Sequence, residues 1–521
     1  MRSKSAEPWI LAVDLGTGGP KTGAVSLDGR LLARHSAPVA THHLPGGGAE
    51  QHPDEWWARI VEGVNTLHGY GVDPEGLAGV GLTGMWACTV PVDSEGRAAG
   101  PCIIWSDTRG GRFAAKVMGG PVSLFGFSPG NIVQWLRFTG GAPSPHGADP
   151  LGHELYLRHC EPAVYERTAA LMEPLDYLAM RLTDRRAATP ASMIASWLTD
   201  NRPRSREPRY VPALLRRSTR DPRRLPELIP TGSTVGRLAD AAAAELRLKP
   251  GAPVVTGVPD LHTAVLGSGF VRPYEAHITI SSTSWIGCDV PFKKTDVMHQ
   301  IASVPGLEQG RYVVANNHET AGLCLRWMRD ALAAAGPPPT YDELCALAAS
   351  APAGSGGVIF TPWLSGERSP VEDRNLRAAF LNVSIDTDAP CLVRSVLEGV
   401  AFNARWLLDA VEKFLGRRLD VLRILGGGAE SDLWCQIHAD VLGRRIEKVA
   451  EPTHANLRGA GLYAAVALGH VAYKDVRRLV PVARTFEPDP AAREVYEPVY
   501  AEYRRLYGRL HPLYGRLNRS A

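Results

Sequence analysis

Residues 9–33 read WILAVDLGTGGPKTGAVSLDGRLLA, and the interpretation of the whole chain starts from this stretch. Its apolar runs are separated by a glycine-rich segment and by Asp28-Gly29, a pattern that predicts strand, turn, strand, tight turn and strand. The glycine-rich segment begins beside an acid and leaves much of the backbone bare: Asp14, Gly16, Thr17, Gly18, Gly19, Pro20 and Lys21. Either this turn is simply tight, or it holds an anion through a metal ion.

Length and composition set the broad class. A chain of 521 residues exceeds the size at which one hydrophobic core keeps growing, so we expect two large domains. The formal net charge of +3 gives no indication of a nucleic-acid partner. The N-terminal sequence MRSKSAEPWI lacks an apolar signal-peptide core, and no apolar run is long enough to cross a bilayer. We therefore expect a cytoplasmic protein with no membrane partner.

Two residue types could have indicated other functions. The eight cysteines have neither zinc-site nor redox spacing, which favours reduced, mostly buried thiols. Nine arginines crowd residues 202–224. Prolines interrupt this run and no aromatic ladder is interleaved with it, so we interpret it as a solvated connection, with a basic docking patch as the alternative.

The strand–turn–strand pattern returns in the second half of the chain. Residues 254–260, VVTGVPD, read as an apolar strand that ends at Asp260. Residues 277–290, HITISSTSWIGCDV, read as strand, turn and strand, with hydroxyls where the first copy has glycines. This echo indicates two related domains with a boundary just before Asp260. We predict an N-terminal domain over 1–257, a C-terminal domain over 258–485 and a helical tail over 486–521.

Periodicity predicts several elements of the second half. Residues 391–416, CLVRSVLEGVAFNARWLLDAVEKFLG, fit an amphipathic helix capped by Gly416. Residues 421–443, VLRILGGGAESDLWCQIHADVLG, read as a buried strand, a triple-glycine turn and a helix. Near the C-terminus one helical stripe is interpreted as packing: Tyr496, Val499, Tyr500, Tyr503, Leu506 and Tyr507.

Three loops are therefore candidates for a phosphate site: residues 14–21, 281–284 and 426–429. None fits a Walker loop or a dinucleotide fingerprint. Glycines let backbone N–H groups approach phosphate oxygens, and Ser or Thr adds a donor. An aspartate beside such a loop repels phosphate but can hold water around Mg²⁺, and Asp14 beside Gly16 and Thr17 fits that arrangement. Any one loop alone is more often a structural turn.

The order of these motifs resembles the FGGY carbohydrate kinases, within the sugar kinase, Hsp70 and actin superfamily, and among them the xylulokinases most. The resemblance runs from Trp9 to about Gly469. Its main segments are DLGTGGPK, GPCIIWSDTR, PTGSTVGRL followed by GAPVVTGVPD, TPWLSGERSP, LVRSVLEGVAF and LGGGAESDLWCQIHADVLG. It implies an α/β fold with two ribonuclease-H-like, actin-like ATPase domains, mixed sheets flanked by helices, and an active-site cleft between the domains.

The resemblance also implies site residues, with ATP and Mg²⁺ as cofactors and a sugar as substrate. Asp14 is placed in the outer shell of the metal, together with Asp260, which stands where these kinases keep their catalytic base. The expected nucleotide contacts are Gly16, Thr17, Lys21, Ser282, Thr283, Ser284, Gly426, Gly427, Gly428 and Ala429. From chemistry alone, an Asp with an ordinary pKa of about 3.9 would be ionised at neutral pH and ready to accept a hydroxyl proton. The alternative role for Asp260 is to cap the helix that follows it.

The sugar end departs from the family pattern. Xylulokinases usually have Gln-Met-His where this chain has Met85, Trp86 and Ala87, so the pocket must be built differently. Trp86 could stack on a sugar ring or merely fill space. Trp105 and Asp107 stand where the family places sugar contacts, and the alternative for Asp107 is a turn residue bonded to its own backbone. His262, two residues after Asp260, could orient a hydroxyl or pack.

We therefore predict an ATP-dependent sugar kinase that acts on D-xylulose to form xylulose 5-phosphate. A kinase for another ketose, pentose or polyol is the first alternative, prompted by the altered stretch at Met85. A nucleotide-gated regulatory protein of the same fold without transfer is the second. Because family members are often dimers, the resemblance also implies a homodimer as one possible assembly.

Overall fold

The opening stretch folds into an antiparallel meander whose strands extend further into the glycine-rich segment than the sequence suggests. In the computed structural model, which describes residues 7–122, 126–205, 207–333 and 336–518, the first strand ends at Gly16 and the second begins at Gly19. Only Thr17 and Gly18 lie in the turn. Lys21, predicted as a turn residue, is therefore a strand residue paired with Asp14.

The elements alternate between strands and helices along most of the chain. The strands are β1 (Trp9–Gly16), β2 (Gly19–Ser26), β3 (Leu31–Ser36), β4 (His42–Leu44), β5 (Gly48–Gln51), β6 (Leu77–Gly84), β7 (Val90–Val92), β8 (Cys102–Ile103), β9 (Ala170–Met172), β10 (Ala187–Ala188), β11 (Glu227–Leu228), β12 (Thr234–Arg237), β13 (Pro253–Val255), β14 (Val258–Pro259), β15 (Ala276–Ile280), β16 (Ser284–Val290), β17 (Thr295–Asp296), β18 (Ile301–Pro305), β19 (Tyr312–Ala315), β20 (Ile359–Thr361), β21 (Ala379–Leu381), β22 (Val421–Leu425), β23 (Arg445–Val449) and β24 (Val482–Phe486).

The helices vary widely in length. They are α1 (Pro53–Gly69), α2 (Gly111–Met118), α3 (Pro129–Phe138), α4 (Pro150–Cys160), α5 (Pro162–Arg167), α6 (Pro174–Thr183), α7 (Pro212–Ser218), α8 (Asp240–Leu246), α9 (Asp260–Ser268), α10 (Gly322–Leu332), α11 (Tyr341–Ala349), α12 (Ala389–Leu415), α13 (Asp432–Leu442), α14 (Ala455–Ala467), α15 (Val476–Leu479) and α16 (Pro490–Leu517).

Two large mixed sheets repeat one arrangement. The first has the order β12-β13-β6-β1-β2-β3, with β14 also paired to β6. The second has the order β17-β18-β19-β16-β15-β22-β23-β24. In each, an antiparallel hairpin (β1–β2 or β15–β16) carries a parallel neighbour on its other side, β6 or β22. The echo seen in the sequence is therefore a repeated topology.

Helices α9 and α14 lie between the two sheets. Helix α14 packs on β1 and β6 of the first sheet, and α9 packs on β15, β16 and β22 of the second. The two helices meet through glycines: a Cβ on Gly459 would lie 2.0 Å from the carbonyl oxygen of Thr263, and one on Gly267 would lie 2.0 Å from that of Ala455. Both helices belong to the predicted C-terminal domain, and α14 packs on the sheet of the predicted N-terminal domain. The domain boundaries given above stay a prediction.

The long helix and the C-terminal stripe fold as predicted. Helix α12 is capped by Asp388, whose side chain accepts from the N–H of Cys391 at 2.9 Å, and it ends at Gly416 in the left-handed region (φ +69°). Helix α16 buries Tyr496 and Tyr503 in the core of the second sheet. The eight cysteines are free thiols, as their spacing predicts.

Several arginines of the arginine-rich segment pair with acidic side chains, and the solvated connection stays a prediction. Arg202 and Arg209 both pair with the buried carboxylate of Asp200. Arg220 is buried in a pair with Glu154. The pair of Arg220 with Glu154 joins residues 66 apart in the chain, and a partner at that distance cannot be read from a charge run. The helices of the described residues include none with the length and apolar character needed to span a membrane.

The contact between α9 and α14 predicts opposite effects for two glycine-to-alanine substitutions. Gly459→Ala should lower the free energy of unfolding by about 1–3 kcal/mol, because the added methyl group separates closely packed backbones. Gly508→Ala, in an open position of α16, should raise it by about 0.5–1 kcal/mol through helix propensity. Urea unfolding measures both, and equal changes in the same direction would contradict this account of the interface.

Candidate active site

The first cluster of predicted site residues lies where β1, β6 and β14 end. These strands run parallel, so their carboxyl ends meet at one edge of the sheet: Leu15 pairs with Gly84, and Gly84 with Pro259. Gly84 has φ +151°, and a Cβ there would lie 2.3 Å from the carbonyl oxygen of Leu15, so only glycine fits this approach. The register brings Asp14, Met85 and Asp260 to the same edge.

Asp260 is half-buried and is the first residue of α9, with Pro259 in the cap position. It therefore stands in the first turn of the helix, where a carboxylate is favoured, without being the cap itself. Burial and the negative charge of Asp14 raise the pKa of Asp260 to about 7, although the Leu261 N–H, the Lys21 ammonium and the Trp86 indole act in the opposite direction. In the protein without bound ligands this raised pKa places the titration of Asp260 near neutral pH, above the range of the ordinary carboxyl that the sequence alone suggested.

Asp14 is buried, and its Oδ2 lies 3.0 Å from Nζ of Lys21 across the hairpin. This pairing raises the pKa of Lys21. Two carboxylates next to one ammonium group leave a negative charge that suits a divalent cation. In the described ranges no group of three or more His, Cys, Asp or Glu residues could hold a metal. Mg²⁺ commonly uses one or two carboxylates with water and phosphate oxygens, so Asp14 and Asp260 fit this ion.

The second and third predicted phosphate loops lie side by side. Thr279 pairs with Leu425 in the parallel strands β15 and β22, so the turn after each strand starts at the same place. A Cβ on Gly426, which has φ +92°, would lie 2.4 Å from the carbonyl oxygen of Ile280, and one on Gly428 would lie 2.4 Å from its Cγ2. Gly427 has open space above it and is exposed. The glycines are thus required where the two turns touch.

The hydroxyl groups of the second loop differ in exposure. Ser282 is exposed, Thr283 is half-buried, and Ser284 is buried at the start of β16. Ser284 Oγ has no hydrogen-bond partner within the part of the chain that the structure describes. An unpaired buried hydroxyl and bare glycine backbone are donor groups suited to an anion. Ala429 is buried beneath the glycine turn and offers no side-chain donor.

Residues 318–323 support the second loop, and no sequence motif pointed to them. The N–H of His318 donates to the Ser284 carbonyl at 2.7 Å, and that of Gly322 to the Ser281 carbonyl at 2.8 Å. The N–H of Ala321 donates to the Ser282 carbonyl at 2.9 Å. These bonds occupy three carbonyl groups of the loop, and the N–H of Ser281 donates to the Thr283 carbonyl at 2.9 Å. The buried Ser284 hydroxyl is the loop donor that these contacts leave for a ligand.

The predicted sugar contacts occupy two places. Met85 is buried and bonds through its N–H to the Leu15 carbonyl at 2.8 Å, and Trp86 is half-buried beside Asp260. Trp105 lies against the first turn, with its Nε1 3.0 Å from Thr17 Oγ1. Gly16, at the end of β1, precedes this turn.

Asp107 is buried and its carboxylate is already bonded to protein groups. Oδ1 accepts from the N–H of Arg109 at 2.9 Å, and Oδ2 accepts from the N–H of Ala49 and from Nε of Arg109, each at 2.9 Å. These contacts match the alternative of a turn residue bonded to its own backbone. A sugar contact by Asp107 stays a prediction.

His262 packs instead of facing a ligand. It is buried, its Nε2 lies 2.7 Å from the Pro305 carbonyl oxygen, and burial lowers its pKa to about 4. The neutral ring therefore links α9 to the second sheet. Among the two roles expected for this residue, the structure favours packing.

Comparison with known proteins identifies the family. The N-terminal domain of the FGGY family of carbohydrate kinases matches residues 9–118, and its C-terminal domain matches residues 295–468. The chain belongs to the FGGY family of carbohydrate kinases. This FGGY kinase has the α/β two-domain sugar kinase fold that the sequence predicted. A crystal structure of gluconate kinase from Lactobacillus acidophilus superposes with a TM-score of 0.85 at 20% identity, covering 98% of this chain and all of that one.

Its curated relatives carry different substrate names. A xylulose kinase of Staphylococcus epidermidis is 25% identical over 512 residues, which cover 96% of each chain. An autoinducer-2 kinase of Klebsiella pneumoniae is 27% identical over 524 residues, which cover 96% of this chain and 93% of that protein. The similarity is spread over the whole length in both cases, so the relatives share the architecture of this kinase while differing in the acceptor.

The contact of the two glycine-containing loops predicts the effect of Gly426→Ala on nucleotide binding. The methyl group would force the turn away from Ile280, and backbone strain of this kind should weaken ADP binding roughly tenfold. Gly416→Ala is the matched control, because that glycine also has a positive φ but faces open space at the end of α12, separated from the glycine turn by the length of β22. It should lower stability by about 1 kcal/mol and leave ADP affinity unchanged. Calorimetric titration with ADP would contradict the assignment if both variants bound it like wild type.

Proposed function

We propose that this FGGY kinase transfers the γ-phosphoryl group of ATP to a hydroxyl of a ketose, and that D-xylulose, converted to xylulose 5-phosphate, is the acceptor. The observation that carries the proposal is the position of Asp260 beside Asp14, at the edge where three parallel strands end. The full-length similarity to xylulose kinases supports the choice of acceptor.

Asp260 is proposed as the general base. Phosphoryl transfer to an alcohol requires a group that accepts the hydroxyl proton while the new oxygen–phosphorus bond forms. Asp260 is half-buried, so one side can meet an acceptor, and its raised pKa makes it a stronger base than an ordinary carboxylate. Placement at the start of α9 fixes its backbone, since the helix is held between two sheets.

Asp14 and Asp260 are proposed to hold Mg²⁺ through water. When bound, the ion would neutralise charge on the triphosphate and on the phosphoryl group in transfer. Lys21 contributes the remaining positive charge, because its ammonium group contacts Asp14 and also lowers the pKa of Asp260. Release of Lys21 from Asp14 would free it for a phosphate oxygen.

The triphosphate is proposed to lie across turns from both sheets. Gly16 and Thr17 offer donors from the first sheet. Ser282, Thr283 and Ser284, with Gly427 and Gly428, offer donors from the second. The N–H of Gly426 is bonded to the Pro452 carbonyl at 2.8 Å, so this glycine serves the close approach of the two turns. Ordered donors placed in advance stabilise developing charge without reorganisation at the moment of transfer.

Another acceptor is the specific alternative. Ala87 stands where xylulokinases usually have a histidine, and an alanine side chain cannot hydrogen-bond a sugar hydroxyl. Trp86, next to Asp260, adds an apolar face instead. A regulatory protein that binds nucleotide without transfer is the second alternative. The paired carboxylates argue against it, because nucleotide binding alone does not require a buried base.

An acceptor screen tests the proposal. ADP release with Mg²⁺ and ATP should rise far above the water background with D-xylulose among ketoses, aldoses, sugar acids and polyols. A larger rise with another acceptor would transfer the function to that compound. ATP binding without any stimulated release would favour the regulatory alternative.

Asp260→Asn should reduce kcat at least a hundredfold, because the amide cannot accept the proton and such bases typically contribute 10²–10⁴ in rate. Asp240→Asn is the matched control, since Asp240 is also the first residue of a helix but is exposed on α8. ADP affinity should stay close to wild type in both variants. Normal turnover by Asp260→Asn would refute its assignment as the base.

A further inference from the structure

The turn between β1 and β2 is held from two directions by side chains that are not part of it. Thr17 Oγ1 accepts a hydrogen bond from Nε1 of Trp105 at 3.0 Å. The Thr17 carbonyl oxygen accepts another from Nε2 of Gln51 at 2.7 Å. Gln51 is fully buried, and its Oε1 accepts from Nε1 of Trp56 at 2.9 Å. The carbonyl of Gly18 is also occupied, by the N–H of Val39 at 3.1 Å.

The bond from Trp105 determines what the Thr17 hydroxyl can do. An indole N–H is a donor only, so Thr17 Oγ1 must be the acceptor in this pair. The hydroxyl then has its own hydrogen to donate elsewhere, and its χ1 angle is held by the ring. Thr17 is half-buried in a turn proposed to meet the triphosphate. A fixed hydroxyl donor is what an incoming phosphate oxygen requires.

Trp105 itself is rigidly placed. It follows β8, and the N–H of Ile104 donates to the Ala49 carbonyl at 3.1 Å. On its other side, the Asp107 N–H donates to the Ile104 carbonyl at 2.9 Å, and the Asp107 carboxylate accepts from Ala49 and Arg109. The buried Asp107 thus fixes the loop that carries the ring. The indole has one end on the phosphate turn and its ring on the side predicted to face the sugar.

We infer that Trp105 is a positioning residue that couples the two substrates: its indole N–H directs the Thr17 hydroxyl toward the transferred phosphoryl group, and an acceptor that contacts the ring stabilises that arrangement. This inference rests on the proposed function. It adds that Trp105 acts through Thr17 and that binding of the acceptor raises the affinity for the nucleotide. Asp107 contributes to this arrangement because its carboxylate holds the loop that carries Trp105.

The test is a double-mutant cycle in the full-length protein. Trp105→Phe keeps an aromatic face and removes the N–H, and Thr17→Val removes the hydroxyl with little change of shape. Each single variant should lower kcat about five- to tenfold, the effect expected for one hydrogen bond, with the KM for the acceptor within about twofold of wild type. The double variant should be no slower than Thr17→Val alone, because both changes remove one interaction.

Binding provides a readout that does not depend on turnover. In wild type, a saturating acceptor should raise the affinity for a non-hydrolysable ATP analogue with Mg²⁺, measured by calorimetry, and Trp105→Phe should abolish that rise. Trp9→Phe is the matched control: its Nε1 donates to the Asp73 carbonyl at 2.8 Å, remote from the turn, so kcat and the rise in affinity should be unchanged.

Three results would overturn the inference. They are multiplicative losses in the double variant, a Trp105→Phe effect confined to the acceptor KM, or a wild-type nucleotide affinity that ignores the acceptor. Each of these results is compatible with a wild-type enzyme that phosphorylates its sugar at a normal rate. Absence of any acceptor-stimulated ADP release in wild type would instead contradict the proposed function, so the two failures are distinct.

Discussion

The site depends on two carboxylates, Asp14 and Asp260, being held near each other against their mutual repulsion. The repulsion is visible in the pKa of Asp260, which burial and the charge of Asp14 raise to about 7. The ammonium group of Lys21 contacts Asp14 in compensation. The backbone enforces the arrangement, because the register of β1, β6 and β14 leaves neither acid free to move away. A cation bound between the two acids would offset their repulsion.

The close backbone packing that holds Asp14 and Asp260 in place depends on small residues. Gly84 allows the strands to approach, and Gly267 and Gly459 allow α9 and α14 to pack with their backbones almost in contact. Helix α14 packs on the first sheet and α9 packs on the second, and the two helices pack on each other. Both sheets therefore fix the position of the start of α9, where Asp260 lies. The base is therefore placed by both halves of the chain.

Local patterns in the sequence predicted most of the fold and the loops of the site. The long helix α12, the glycine turn after β22 and the two related hairpins follow from periodicity and turn residues, which act over a few positions. The partners of charged groups were not predictable in this way. Lys21 was predicted to contact a nucleotide, and its ammonium group forms an ion pair with Asp14. Asp107 was predicted to contact a sugar, and its carboxylate accepts hydrogen bonds from Ala49 and Arg109. Those contacts depend on how distant segments meet.

The same reasoning locates the discrimination between acceptors. A group whose hydrogen bonds are already satisfied by protein recognises a ligand poorly, because a new bond must replace an existing one. Asp107 is in that condition, whereas Asp260 keeps an exposed side and Trp86 presents an indole beside it. Selection would then depend on the shape of the acceptor around Trp86 and on one hydroxyl at Asp260. A pocket of that kind would separate acceptors by how they place that hydroxyl more than by how many hydroxyls they carry.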